Sequence, residues 1–228
     1  MLTHLRQLKE QIPLETAYKW PIPPGCPIEI PEHIIGGYER NVYLKEHLAP
    51  ALERDINLEH HYWVIRKWGG IRGFKKENDE GKIGRNDERI RTFKAEVFGN
   101  KQLTKDSFKT ISSFSKLSSF WDWQLYAIYD SRAVFSLNWV IFRQCKKGLL
   151  FPQPQGRNTA LASCDTKTLF EGRKYYAPET AYHKYCSLLR KLSKKVYCDA
   201  RPFKLEMLLF LAAPGQIAEE IQQYRNRK

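Results

Sequence analysis

A lysine and an aspartate, Lys116 and Asp130, stand fourteen residues apart in one aromatic-rich stretch, 111–139. An amine can attack an electrophilic carbon and form a Schiff base, provided that burial or neighbouring cations pull its pKa down from about 10.4. A carboxylate held beside a carbon that is acquiring positive charge can stabilise that charge or orient an attacking water. Together the two groups can carry cleavage of an N-glycosidic bond, in which the charge builds on the sugar. Lys116 is the candidate nucleophile and Asp130 the candidate carboxylate.

The elements that must hold this pair are helices. From Ser131 to Phe142 the residues Val134, Leu137 and Ile141 recur at helical spacing, with Phe135, Trp139 and Phe142 beside them, and Asp130 stands just before the run as an N-cap signal. A second apolar-periodic run, Phe108 to Trp121, ends in the cluster Phe120, Trp121 and Trp123, which leaves Gln124 to Tyr129 to turn the chain. The reading is helix, short connection, helix. The same residues have a structural reading too: Asp130 as a cap contributing about 1 kcal/mol, and Lys116 as one of many solvated cations.

Ser115-Lys116, then Phe120-Trp121, then Ala127 to Arg132, then Leu137-Asn138-Trp139 form a pattern that resembles the helix-hairpin-helix DNA glycosylase superfamily, most closely its bacterial 8-oxoguanine-glycosylase-like branch. The segments Trp63 to Phe74, Phe151 to Asn158 and Leu205 to Phe210 are similar to that branch as well, so the resemblance spans roughly residues 60 to 220. In the superfamily a lysine follows the hairpin and an aspartate caps a later helix, and Lys116 and Asp130 fall on those positions. One departure stands out. The hairpin turn of the superfamily is glycine-rich, whereas this chain has Thr110 to Ser115 without a glycine.

The resemblance implies a mainly α, two-lobed helical fold with double-stranded DNA bound across the cleft between lobes; no cofactor is expected. It implies a base flipped into a pocket with aromatic walls, for which Trp121, Trp123, Tyr129, Trp139 and Tyr62 are the candidates. Aromatic residues fill helical cores as readily as they stack on bases. Phosphate contacts fall to Ser113 and Ser115 in the hairpin and to Arg132, Arg157 and Asn158, with Lys191 and Lys194 on a basic helix. The expected reaction is release of a modified base to leave an abasic site. The leading substrate is glucosylated hydroxymethylcytosine of phage DNA, because an open pocket with polar lining from the loops Lys75 to Asn86 and Lys146 to Pro178 would suit a bulky base. The alternatives are an 8-oxoguanine glycosylase with lyase activity, or a basic DNA-binding module without catalysis.

Composition is consistent with a polyanion partner. Among 228 residues, 38 Lys and Arg against 25 Asp and Glu give a net charge of +13, an excess that favours DNA, RNA or an anionic surface. RNA is the poorer choice, since none of the common RNA-recognition signatures is present. Hydrophobic residues make up 42% of the chain, enough for a real core. No apolar run approaches a membrane span, and the N-terminus does not read as a secretory leader, so the expectation is a cytoplasmic protein. Five cysteines without a Cys-x-x-Cys pair fit free thiols and no iron-sulfur cluster. His60 and His61, adjacent on a helix, point in different directions, and no metal is expected.

Along the chain, residues 1–38 read as an extended N-terminal segment because of the Pro-rich stretch Trp20 to Pro31, a clamp or lid outside the helical domain of 39–228. The spacing predicts helices over Glu39 to Arg54, Leu58 to Lys67 (stopped by Gly69-Gly70 as a glycine C-cap), Asp87 to Phe98, Thr104 to Trp121, Glu179 to Tyr197, Phe203 to Leu211 and Gln216 to Arg225. The catalytic hairpin region is 104–142. Lys75 to Asn86 reads as an exposed loop and Lys146 to Pro178 as a long connection.

Overall fold

The computed structural model describes residues 1–76, 85–99, 102–154, 164 and 166–227. Arg157 and Asn158, and most of the loop expected at Lys75 to Asn86, lie outside the described residues. Among those described, the chain is mainly helical and contains no strand, only an isolated bridge between Leu150 and Tyr175. No helix among them is long and apolar enough to cross a membrane.

The N-terminal segment departs from expectation. Leu2–Gln11 is a helix (α1) and Leu14–Ala17 a second, short one (α2). Leu5, Leu8 and Ile12 recur on one face and are buried, and this apolar stripe has to be covered. The prolines between Trp20 and Pro31 keep only the later part, 18–36, out of helix.

Next come α3 (Gly37–His47) and α4 (Ala49–Glu53), which divide one expected helix at Leu48. Pro50 is the reason, since it cannot donate to the carbonyl of Glu46. The following helix, α5 (Glu59–Tyr62), widens into a π-helical segment at Trp63–Trp68, with the Gly69 amide returning to the Val64 carbonyl at 2.8 Å. Gly70 then takes φ +69°, the left-handed residue that the glycine pair announced.

After α6 (Arg85–Phe98), the single helix expected from Thr104 to Trp121 is split into α7 (Lys105–Lys109) and α8 (Ile111–Trp121) at Thr110, whose φ of −113° and ψ of 19° leave the helical region. The Thr104 hydroxyl caps α7 by accepting from the Ser107 amide at 3.2 Å. The later helices are α9 (Ser131–Gln144), α10 (Thr166–Leu169), α11 (Pro178–Tyr197), α12 (Pro202–Ala212) and α13 (Ala218–Arg225).

The core sits around α12, which packs on α9 and α11 and also meets α1 and α2. Leu205, Met207, Leu208, Leu209 and Ala212 are fully buried, as are Val134, Leu137 and Val140 on α9. A helix that is apolar all round must be central, and the charged residues of α12 are therefore informative. Lys204 reaches Asp199 at 2.8 Å, whereas Glu206 is buried. Beyond α12, Pro214 cannot bond to the carbonyl of Phe210, and the helix passes through a π-helical turn, Ala213–Ile217, before α13.

Candidate functional site

The Asp130 end of the site is built by the connection between α8 and α9. Asp122 starts the turn by accepting the amides of Gln124 and Leu125 with Oδ1, at 3.1 and 3.0 Å. The next residues have no helix or sheet to satisfy their backbone, so side chains do it. Tyr182 on α11 donates to the Ala127 carbonyl and Tyr185 to that of Ile128, each at 3.0 Å. The Ser115 hydroxyl accepts the Tyr129 amide at 2.9 Å, and the Tyr129 hydroxyl donates to the Pro152 carbonyl at 2.8 Å. Asp130 follows this clamped segment as the N-cap of α9, its Oδ1 accepting the Arg132 amide at 2.8 Å. The cap expected there is present, and the carboxylate is still half-buried at the surface of a cavity.

Lys116 enters the same cavity from α8. Its side chain is 8% exposed, and Nζ donates to the Ser112 carbonyl one turn back at 2.5 Å. Burial lowers its pKa from the ordinary lysine value, and the carboxylates of Asp130 and Glu206 work against that fall. Gly69 makes the position possible: a Cβ there would lie 2.5 Å from Lys116 Cδ and 2.9 Å from Cε. The aliphatic stem of the lysine runs over the bare backbone that follows the π-helical turn.

The cavity has a volume of about 70 Å³ and is lined by Tyr18, Trp20, Trp68, Gly69, Lys116, Ile128, Asp130, Glu206 and Phe210. Its aromatic walls are thus Tyr18, Trp20, Trp68 and Phe210. Trp20 meets Trp68 and Phe210 edge to face, with ring centroids 6.4 and 5.8 Å apart, and its indole N–H donates to the Trp68 carbonyl at 2.9 Å.

None of the five aromatic residues expected as pocket walls is among these. Trp139 is fully buried on another side of α9, where it donates to Glu220 at 2.7 Å and packs with Phe142 and Tyr224. Tyr129 is core, serving the connection described above. Trp121 donates to His61 Nε2 at 3.2 Å, and His61 Nδ1 lies 2.9 Å from Asp55, a buried chain that ties α8 to α5. Trp123 packs against Phe203. Tyr62 donates to Asp87 at 2.6 Å and faces a separate cleft. Their large apolar area is taken up by packing.

The expected phosphate contacts divide in a similar way. Ser115 is fully buried and committed to Tyr129, so it is a brace of the connection and is not exposed to a phosphate. Ser113 is half-buried on the first turn of α8. The Arg132 guanidinium lies 4.7 Å from the Phe210 ring centroid, over the cavity wall. Lys191 and Lys194 are exposed on α11, as the basic-helix reading requires.

Two buried charges were not anticipated. Glu206 is 4% exposed, and its Oε2 has no hydrogen-bond partner among the described residues. Lys45 on α3 is fully buried, donating to the Ser119 hydroxyl at 3.0 Å and lying 4.6 Å from the Phe120 ring and 5.4 Å from that of Trp68. Burial pushes the Glu206 carboxyl up to about 8, against the pull of Lys45. It pushes the Lys45 ammonium down to about 8, against the pull of Glu206, while Lys116 adds to the fall. The signals were in the sequence: a lone acid inside the apolar run Leu205 to Phe210, and a lysine on the apolar face that carries Tyr38, Asn41 and Leu44.

Beside the cavity, across the π-helical turn, lies a wider cleft of about 660 Å³, lined by Pro23, Pro24, Gly25, Tyr62 and Trp63 and rimmed by the exposed side chains of Arg66, Lys67 and Arg72. These cations were missed as a group because they fall on a helix end and a turn, where no periodicity marks them.

No protein-family model, curated protein or solved structure matches the chain.

Proposed function

We propose that the chain is a DNA glycosylase that takes a modified base out of the duplex and breaks its N-glycosidic bond, leaving an abasic site. The observation that carries the reading is the convergence of Lys116 and Asp130, from two different helices, on one cavity with aromatic walls. A desolvated lysine is available as an amine at lower pH than a solvated one, and a carboxylate in the same cavity stabilises positive charge at C1′. The Arg66, Lys67 and Arg72 rim of the neighbouring cleft supplies cations for the phosphates that flank the extruded nucleotide. On this reading DNA lies across a two-lobed glycosylase architecture and reaches both the cavity and the cleft.

A cavity of about 70 Å³ is well below the roughly 300–1,000 Å³ usual for ligand pockets. Admission of a base therefore requires the Tyr18 to Trp20 segment or Phe210 to give way. Trp20 is half-buried and belongs to the non-helical stretch 18–36, so that movement breaks no helix.

Glucosylated hydroxymethylcytosine of phage DNA is the first substrate to assay and 8-oxoguanine the second. The experiment is an abasic-site assay on duplexes containing 8-oxoguanine, uracil or alkylated bases and on phage DNA with and without glucosylated hydroxymethylcytosine. Abasic sites on one substrate, lost in Asp130→Asn with DNA affinity retained, support the reading. Binding to every DNA with release from none overturns it in favour of a DNA-binding module, the reading that the glycine-free hairpin favours.

A further inference from the structure

We propose that the Trp20 indole occupies the place of a planar nitrogen heterocycle, and that Glu206 is the specificity residue that hydrogen-bonds this ligand once Trp20 turns away. Naming that heterocycle as the extruded base rests on the glycosylase reading of the same cavity.

Trp20 comes from the non-helical stretch after α2 and is half-buried on the cavity wall. Its ring meets those of Trp68 and Phe210 edge to face, at 6.4 and 5.8 Å between centroids, and its N–H donates to the Trp68 carbonyl at 2.9 Å. An indole is a fused bicycle with one ring N–H, so it shares its outline with a purine and its donor with the nucleobases. Aromatic neighbours and a fixed hydrogen-bond acceptor are what a flipped base requires for packing and for recognition of its edge. The room that a cavity of about 70 Å³ lacks for a base is taken by this side chain.

The surroundings keep their hydrogen bonds when the indole leaves. Asn41 on α3 is fully buried, and its Nδ2 donates to the Trp20 and Gly37 carbonyls, each at 2.8 Å. Its Oδ1 accepts the Trp68 indole N–H at 3.0 Å. One amide therefore holds the 18–20 segment by its backbone and the opposite cavity wall by its ring. Gly37 lets that segment lie close to α3, since a Cβ there would stand 2.9 Å from the Tyr18 carbonyl oxygen. Rotation of the Trp20 side chain out of the cavity breaks its bond to the Trp68 carbonyl and none of those made by Asn41.

Glu206 supplies the second polar contact. It is 4% exposed and lines the cavity, and its Oε2 has no hydrogen-bond partner among the described residues. A buried polar atom without a partner in a native protein calls for an explanation, and the edge of a ligand in the cavity provides one. Burial raises this carboxyl to about 8, so near neutrality it has an O–H to donate and an oxygen that accepts. The Trp68 carbonyl accepts and the Glu206 carboxyl can do both, which favours a ligand that carries N–H donors together with acceptors. Nucleobases carry both, whereas an indole carries the donor alone.

The test needs neither DNA nor catalysis. The full chain carrying Trp20→Ala, checked for folding by thermal unfolding, is titrated in equilibrium dialysis with free cytosine, 5-hydroxymethylcytosine and 8-oxoguanine, and with indole as the control for shape. Trp20→Leu takes its place if the alanine variant does not fold. A cavity vacated in a folded protein takes up small aromatic molecules, so indole should bind the variant, and at least one base should bind it while leaving the unsubstituted chain unoccupied. Adding Glu206→Met should weaken base binding by about 10-fold, the worth of one hydrogen bond, and leave indole binding unchanged. Glu206→Gln keeps a donor and an acceptor and should retain the affinity. Uptake of indole but of no base, or of neither by a folded variant, overturns the proposal, as does equal base binding by the unsubstituted chain. Base affinity that Glu206→Met does not lower, or lowers no more than that of indole, overturns the role of Glu206. Base binding by the Trp20 variant, with no abasic sites formed by the unsubstituted chain on any DNA, leaves the heterocycle site standing and sinks the glycosylase reading alone.

Discussion

Replacing Gly69 by alanine should disable Lys116 without removing any ionisable group. The added Cβ would stand 2.5 Å from Lys116 Cδ, 2.9 Å from Cε and 2.7 Å from the Ile65 carbonyl oxygen. The first two clashes can be relieved by moving the lysine stem, but the third involves backbone and cannot be relieved by a side chain alone. Overpacking of this kind costs about 1–3 kcal/mol, which for a chain of this size lowers Tm by about 2–12 °C at roughly 2–4 °C per kcal/mol. The relief that Lys116 provides carries Nζ away from its place in the cavity, and a misplacement of about 1 Å is worth about 10²-fold in rate. Gly73→Ala is the control, since nothing lies within 4 Å of a Cβ there, and its stability should stay within about 0.5 kcal/mol. The assay pairs thermal unfolding with borohydride trapping on an abasic duplex. Equal Tm and equal trapping rates in the two variants would refute the claim that the bare backbone at Gly69 seats the lysine.

Ser115→Ala removes the acceptor of the buried Tyr129 amide, and a loss of about 1–3 kcal/mol in denaturant unfolding is expected, with weaker base release and unchanged DNA affinity because the clamp on Asp130 loosens. Charge removal at Arg66, Lys67 and Arg72 on the cleft rim should lower DNA affinity uniformly across sequences. It should also flatten the dependence of log affinity on log salt by about 0.9 for each phosphate that is no longer neutralised; a slope that does not move places the DNA elsewhere. The pH dependence of stability follows from Glu206, whose carboxyl rises from 4.5 to about 8 on folding. The folded state holds this proton where the unfolded state has released it, so the contribution is fully present below the unfolded value and is lost as pH rises from about 4.5 to about 8. Glu206→Gln should therefore show a smaller loss of stability across that interval in chemical unfolding, and an identical slope in both proteins would disprove the shift.

The sequence determined most of the helices after residue 36 and the helix ends beside the site. Apolar spacing after Asp130 marked both the helix and its cap, and Gly69-Gly70 marked the end of the segment beside Lys116, because capping and periodicity are local properties written in a few neighbouring residues. It also singled out Lys116 and Asp130, through their fourteen-residue spacing and the resemblance of the stretch that carries them. Where local signals competed with packing, the sequence reading went astray. Pro-rich residues at 20–31 concealed the amphipathic α1 before them, and Thr110 broke a helix that apolar periodicity alone would have continued.

Only the tertiary structure decided which aromatic residues face the cavity. Trp139 and Trp68 are equally good walls by composition, yet α9 turns Trp139 toward Glu220 and Tyr224, while the π-helical turn delivers Trp68 and Gly69 to Lys116. The same holds for the Lys45 and Glu206 charges, which stand 161 positions apart in sequence and act on each other only because α3 and α12 both bring a side chain to Trp68. Burial and long-range electrostatics depend on distances between elements, which the order of residues along one element does not contain.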